Sequence, residues 1–228
     1  MKKSILTLLA VIAIVAVTHA QKLEKFGSSI TKSIGPKTIH VPYTSVTSYL
    51  GYAAPNTEDQ VKDGKKFYYI YVWVPLVAPE LGVRMLSPVA KNEVADATKS
   101  ADYDANKASA DYFDTYITLE RCLSIIKAED ITEAKVKSGE WTTLEKNDDS
   151  DEMPKQPSGS SYNSLLRYVS KTGDPTGALT VGLYRIGFTT YKTGEVKGTF
   201  LAQVAAPVDL PGVQVGRLKQ VMDAVAKK

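Results

Sequence analysis

Between Asn147 and Glu152 the chain places four carboxylates in six residues: Asp148, Asp149, Asp151 and Glu152. Acids at that density repel one another unless they are solvated, paired with cations or used as ligands. One use is to gather oxygen donors for a hard divalent cation. Ca²⁺ takes about 6–8 oxygens from carboxylates, carbonyls, hydroxyls and water, and it tolerates a flexible loop. Composition alone also describes a solvated acidic loop. The run is not an EF-hand: Asp149-Ser150-Asp151 begins like one, but Met153 and Pro154 stand where a further oxygen ligand and the required glycine belong. Other chemistries are poorly supplied. The chain has two histidines, His19 and His40, and one cysteine, Cys122, which leaves no donor set for zinc. It carries no Gly-x-Ser-x-Gly elbow and no phosphate-binding glycine loop. It reads as a protein without enzymatic activity, and Cys122 reads as a buried small hydrophobe.

The acidic run must be positioned by the elements around it. Residues 1–20 have the form of an export signal: Lys2 and Lys3, an uncharged apolar run from Ile5 to Val17, and the small-residue site Thr18-His19-Ala20. Cleavage leaves residues 21–228 as one domain and lowers the formal charge from +3 to +1 by removing Lys2 and Lys3. A near-neutral mature chain gives no electrostatic reason to bind nucleic acid. Nothing after the signal is apolar enough over about 20 residues to span a bilayer. The mature chain is expected in the periplasm, at the cell surface or in the medium.

From Thr38 onward, short strands alternate with turn residues. Ser45 to Tyr52 is the first, and Phe67 to Val74 holds only aromatic and β-branched residues. With apolar side chains on both alternating faces, Phe67–Val74 is predicted to be central and covered on both sides. Gly82–Leu86, Tyr112–Cys122, Tyr162–Val169, Leu179–Thr190 and Glu195–Ala205 follow, the last two as a hairpin about Tyr191-Lys192-Thr193-Gly194. Ala90–Ala110 reads as a surface insertion with room for a helical turn, and Ile126–Gly139 as a short helix. Leu218, Val221, Met222 and Val225 recur at helical spacing and predict a C-terminal helix against a sheet edge. The fold class is all-β, an antiparallel two-sheet sandwich with a few peripheral helices; jelly-roll and immunoglobulin-like topologies fit the pattern equally.

Longer stretches carry a resemblance. Asp63-Gly64-Lys65-Lys66, Tyr68 to Pro75, Gly82 to Pro88, Phe113-Asp114-Thr115, Glu120-Arg121, Tyr162-Asn163-Ser164-Leu165 and Gly182 to Lys192 together resemble the major surface lipoprotein family of Leptospira, in consistent order from about Tyr43 to Pro211. The resemblance implies a jelly-roll sandwich and a Ca²⁺ site at the matching positions Asp114, Thr115, Asp148, Asp149 and Tyr162. It implies an exported surface protein with a binding or adhesion role toward extracellular-matrix ligands. The family's lipid-bearing cysteine has no counterpart beside the predicted cleavage site, so this homologue is expected without the lipid anchor. In that set, Asp114, Asp148 and Asp149 bring three carboxylates, Thr115 a hydroxyl or carbonyl, and Tyr162 a backbone carbonyl. The expected partners are calcium, an extracellular protein or glycan, and a second copy of the chain in a homodimer. The alternative function is lectin-like carbohydrate binding, since jelly rolls host such sites and the chain has 13 tyrosines.

Overall fold

The computed structural model describes residue 23 and residues 26–227, so the predicted signal at 1–20 lies outside the described residues. Among the described residues thirteen strands are formed: β1 (Thr31–Ile34), β2 (Lys37–His40), β3 (Ser45–Ala53), β4 (Gln60–Lys62), β5 (Lys65–Val74), β6 (Glu80–Leu86), β7 (Thr98–Lys99), β8 (Tyr116–Cys122), β9 (Trp141–Asn147), β10 (Ser164–Val169), β11 (Gly182–Thr189), β12 (Gly198–Ala206) and β13 (Gln214–Gly216). Three short helices accompany them: α1 (Tyr103–Asn106), α2 (Glu133–Ser138) and α3 (Leu218–Val225). One large sheet has the order β10-β6-β12-β3-β7 and the other β13-β5-β11-β8-β9, with β4 paired to the start of β5, while β1 and β2 form a separate two-stranded sheet. Taking only the eight long strands in chain order, one sheet holds the first, third, sixth and eighth. The other holds the second, fourth, fifth and seventh. Each sheet thus interleaves distant strands, which is the double Greek-key wrapping of a jelly roll.

Strand β5 shows why the sandwich closes. Its Tyr68, Ile70, Val72 and Val74 point into the core between the sheets, with Ile117, Leu119, Tyr184, Ile186 and Phe200. Its Phe67, Tyr69, Tyr71 and Trp73 point outward into a second apolar layer completed by Val136 of α2 and Val221 of α3. Period-two alternation with both faces apolar demands cover on both sides. The helices supply the outer cover, and α3 lies over the β13–β5 edge as its apolar spacing requires. Cys122 is free and fully buried in that outer layer.

One expectation is overturned and two are refined. β11 and β12 do not form a hairpin: β11 pairs with β5 and β8, whereas β12 pairs with β3 and β6 in the opposite sheet. The chain crosses at Gly198, whose φ of +134° only glycine adopts readily and whose Cα packs onto the Asp111 backbone. The surface insertion at 90–110 is also pinned: Tyr103 of α1 is 2% exposed, seated with Leu50 and Leu201 on the outer face of the first sheet. The predicted helix over 126–139 narrows to α2, capped where the Thr132 hydroxyl accepts from the Lys135 N–H.

Candidate metal centre

Strands β8 and β9 run antiparallel with Ile117 opposite Asn147. The chain entering β8 and the chain leaving β9 therefore emerge at the same end of the sheet, side by side. This register brings Asp114 and Thr115 beside Asp148 and Asp149, although more than thirty residues separate them in sequence.

A third segment, the approach to β10, is stitched to the other two. The Thr115 N–H donates to the Tyr162 carbonyl at 3.0 Å, and the Thr115 hydroxyl lies 3.2 Å from that oxygen and 2.9 Å from Ser164 Oγ. The Ser150 N–H donates to the Asn163 carbonyl at 3.1 Å. The Ser164 hydroxyl sits between two carbonyls, that of Asp148 at 2.8 Å and that of Thr115. One hydroxyl has one proton to give, so Ser164 satisfies only one of those carbonyls and the other is left open to another donor or a cation. Gln156, 4% exposed, donates its amide to the carbonyls of Ser87 (2.9 Å), Phe113 (2.7 Å) and Tyr162 (3.3 Å), and so braces the acidic loop against both sheets. Asn163 does the same, donating to the Pro154 carbonyl at 2.7 Å and accepting from the Ser87 N–H at 2.9 Å.

The electrostatics are those of a site short of positive charge. Asp114 is pushed up to about 6, first by burial and then by the nearby Asp149 and Asp148; Lys65 and Lys192 oppose the rise only in part. Asp149 is raised as well, by burial and by Asp148 and Asp151. Asp114 Oδ1 is buried without a hydrogen-bond partner, and so is Asn147 Oδ1 one residue before the aspartate pair. Buried oxygens of this kind carry a desolvation cost that a cation would relieve. Thr115 is fully buried, Asp148 and Asp114 are half-buried, Asp149 is exposed, and the Tyr162 ring is largely exposed while its carbonyl is engaged.

The five sequence-predicted residues thus fall in one neighbourhood. Among the described residues, however, no group of three or more His, Cys, Asp or Glu side chains converges tightly enough to hold a metal ion, so the aspartates are neighbours rather than a formed cage. The donor set, all oxygen and no nitrogen or sulfur, fits a hard cation and argues against zinc. Ser164, Gln156, Asn163 and Asn147 were not legible in the sequence. Hydroxyls and amides in loops carry no periodic signal, and their roles come from a strand register set far away.

The family model Lipl32, described as a surface lipoprotein of the Spirochaetales order, matches residues 37–215. That span includes all five candidate ligands. No curated protein matches the chain.

Proposed function

The chain belongs to the Lipl32 family of Spirochaetales surface lipoproteins, and from that membership we propose that it is an exported, calcium-binding module with a binding or adhesion role. Family membership assigns it to the cell surface or outer membrane, and no helix among the described residues is long and apolar enough to cross a membrane. The proposal includes processing after residue 20 and a single domain from residue 21.

Asp114 carries the calcium reading: a half-buried carboxylate with one oxygen lacking any donor, beside two further aspartates, with a proton affinity raised first by burial and then by the neighbouring carboxylates, both of which a bound cation would offset. In this reading Asp114, Asp148 and Asp149 supply carboxylate oxygens, Thr115 its hydroxyl or carbonyl, and Tyr162 its carbonyl. The cation contributes charge neutralisation, not catalysis. Mg²⁺ suits the site less well, because it demands near-octahedral geometry and holds its waters. The consequence is mechanical. Three segments from different parts of the chain are fixed to one another, and the exposed surface from Asp148 to Tyr162 is given one shape for a protein ligand to recognise.

The test is thermal unfolding of chelated protein against added Ca²⁺. At 100 times the dissociation constant, binding to the folded state adds about 2.7 kcal/mol. For a domain of this size that corresponds to a rise in Tm of about 5–11 °C. Asp148→Ala is expected to abolish the rise while retaining a cooperative transition. A Tm indifferent to Ca²⁺ over the millimolar range would count decisively against the site.

A further inference from the structure

On the outer face of the second sheet, at the far end of β9 from the aspartates, a cavity of about 610 Å³ opens between α2 and the sheet. The seven residues of β9 separate the two places by roughly 20 Å at about 3.3 Å per residue. Its floor is a cross-strand row: Tyr71 on β5 is opposite Arg185 on β11, which is opposite Glu120 on β8. The Arg185 guanidinium is held 3.7 Å from the centre of the Tyr69 ring and 4.0 Å from that of Trp141, and it is paired with Glu120 at 2.6 Å. Gly187 leaves room beside this sandwich: a Cβ there would lie 2.5 Å from Thr118 Oγ1 and 3.0 Å from the Tyr69 ring. The Trp141 indole N–H donates to the Val136 carbonyl at 3.2 Å, so that ring is fixed from α2. Tyr71 meets Trp141 edge-on with ring centres 6.1 Å apart.

We infer that this cavity, walled by Tyr71, Trp141 and Arg185 and rimmed by Glu133 and Lys137, is a binding site for a neutral saccharide. Its volume lies within the range of small-molecule sites, about 300–1,000 Å³. Its charges cancel locally. Arg185 is matched by buried Glu120, Asp59 is bound at 2.6 and 2.8 Å by Arg217, and Glu133 and Lys137 stand four residues apart on α2. No net field therefore selects an anion or a cation. Charged and amide groups at the mouth, with Gln60 among them, do not suit a lipid. Trp141, partly exposed and fixed from α2, stands beside the planar polar groups of Arg185 and Gln60, which suits a ligand with an apolar C–H face and hydroxyls around its edge: a pyranose. The carbohydrate reading, given no location by the sequence, acquires one here, and it is independent of the calcium proposal.

The experiment applies the mature protein, in chelator, to an array of neutral and acidic glycans. Retention on neutral glycans is expected, and it should persist without Ca²⁺. Tyr71→Phe keeps the ring and removes its hydroxyl; Glu133→Gln alters an exposed helix residue. Each is expected to weaken the retained glycan by about tenfold, the order of one lost ligand hydrogen bond; Glu133→Gln should leave Tm unchanged, whereas Tyr71→Phe also gives up the hydroxyl's contact with Arg185. A blank array overturns the inference. So does retention confined to sulfated or carboxylated glycans, or binding that both substitutions leave intact.

Discussion

Asp114 concentrates the residue-scale physics. Its carboxyl titrates at about 6 in the folded chain, against an ordinary value near 3.9. The sign follows from linkage. A raised folded pKa means the folded state binds the proton more tightly, so the contribution to stability is complete below about pH 4 and is lost as pH rises through about 6. In chelator, the protein should therefore lose stability across that window relative to Asp114→Asn, which cannot ionise. Calcium reverses the preference, because it competes with the proton for the same oxygens; its effect on Tm should fade as pH falls below about 6. Melting curves at pH 4, 5, 6 and 7, with and without Ca²⁺, compare the two proteins directly. Parallel curves for wild type and Asp114→Asn in chelator would show that the burial and the neighbouring aspartates do not act on this carboxyl. The importance of Asp114 was reachable only through a family resemblance, since nothing in Phe113-Asp114-Thr115 itself distinguishes a ligand from a solvated turn.

Elements show what local pattern can and cannot deliver. β5 was legible almost to the residue, because eight consecutive aromatic and β-branched residues leave no other stable arrangement. β9 was not: Trp141-Thr-Thr-Leu-Glu-Lys-Asn147 is an edge strand with exposed Thr143, Glu145 and Lys146, and half-exposed charged strands read as loop. That miss matters, because the pairing of β9 with β8 is what brings the candidate ligands together. The supposed hairpin of β11 and β12 failed for a related reason. Two strands joined by a short polar link look the same whether they pair or cross between sheets, and the choice rests on Gly198. A Cβ at that position would lie 2.6 Å from the Asp111 carbonyl carbon and 2.9 Å from Tyr112 Cα, and φ of +134° is costly for any L side chain. Gly198→Ala is therefore expected to destabilise the fold by about 2–5 kcal/mol, backbone strain plus overpacking, read as a lowered urea midpoint at unchanged slope. A loss below about 0.5 kcal/mol would mean the crossing is not held by this contact.

At the scale of the whole molecule, stability is unevenly distributed. The interior between the sheets and the apolar layer under α2 and α3 are dense with buried aromatic and aliphatic side chains. The region from Asp148 to Ser161 has, by contrast, only Met153 and Gln156 buried, and hydrogen bonds made by Ser164, Gln156 and Asn163, with the Arg167–Glu152 ion pair, connect it to the sandwich. Segments with few buried contacts open at much lower free energy than the global transition. A cation bridging Asp114 to Asp148 and Asp149 would couple this low-stability region to the ends of β8 and β9 without touching the core. Amide hydrogen exchange should then divide the chain in two. Addition of Ca²⁺ should slow exchange across 111–115 and 148–164 by tenfold or more, while β5 and β11, already limited by global unfolding, slow only by the overall gain in stability. Asp148→Ala should erase the first effect. Uniform protection across all peptides would show instead that calcium acts on the fold as a single unit, and the picture of a locally pinned recognition loop would have to be abandoned.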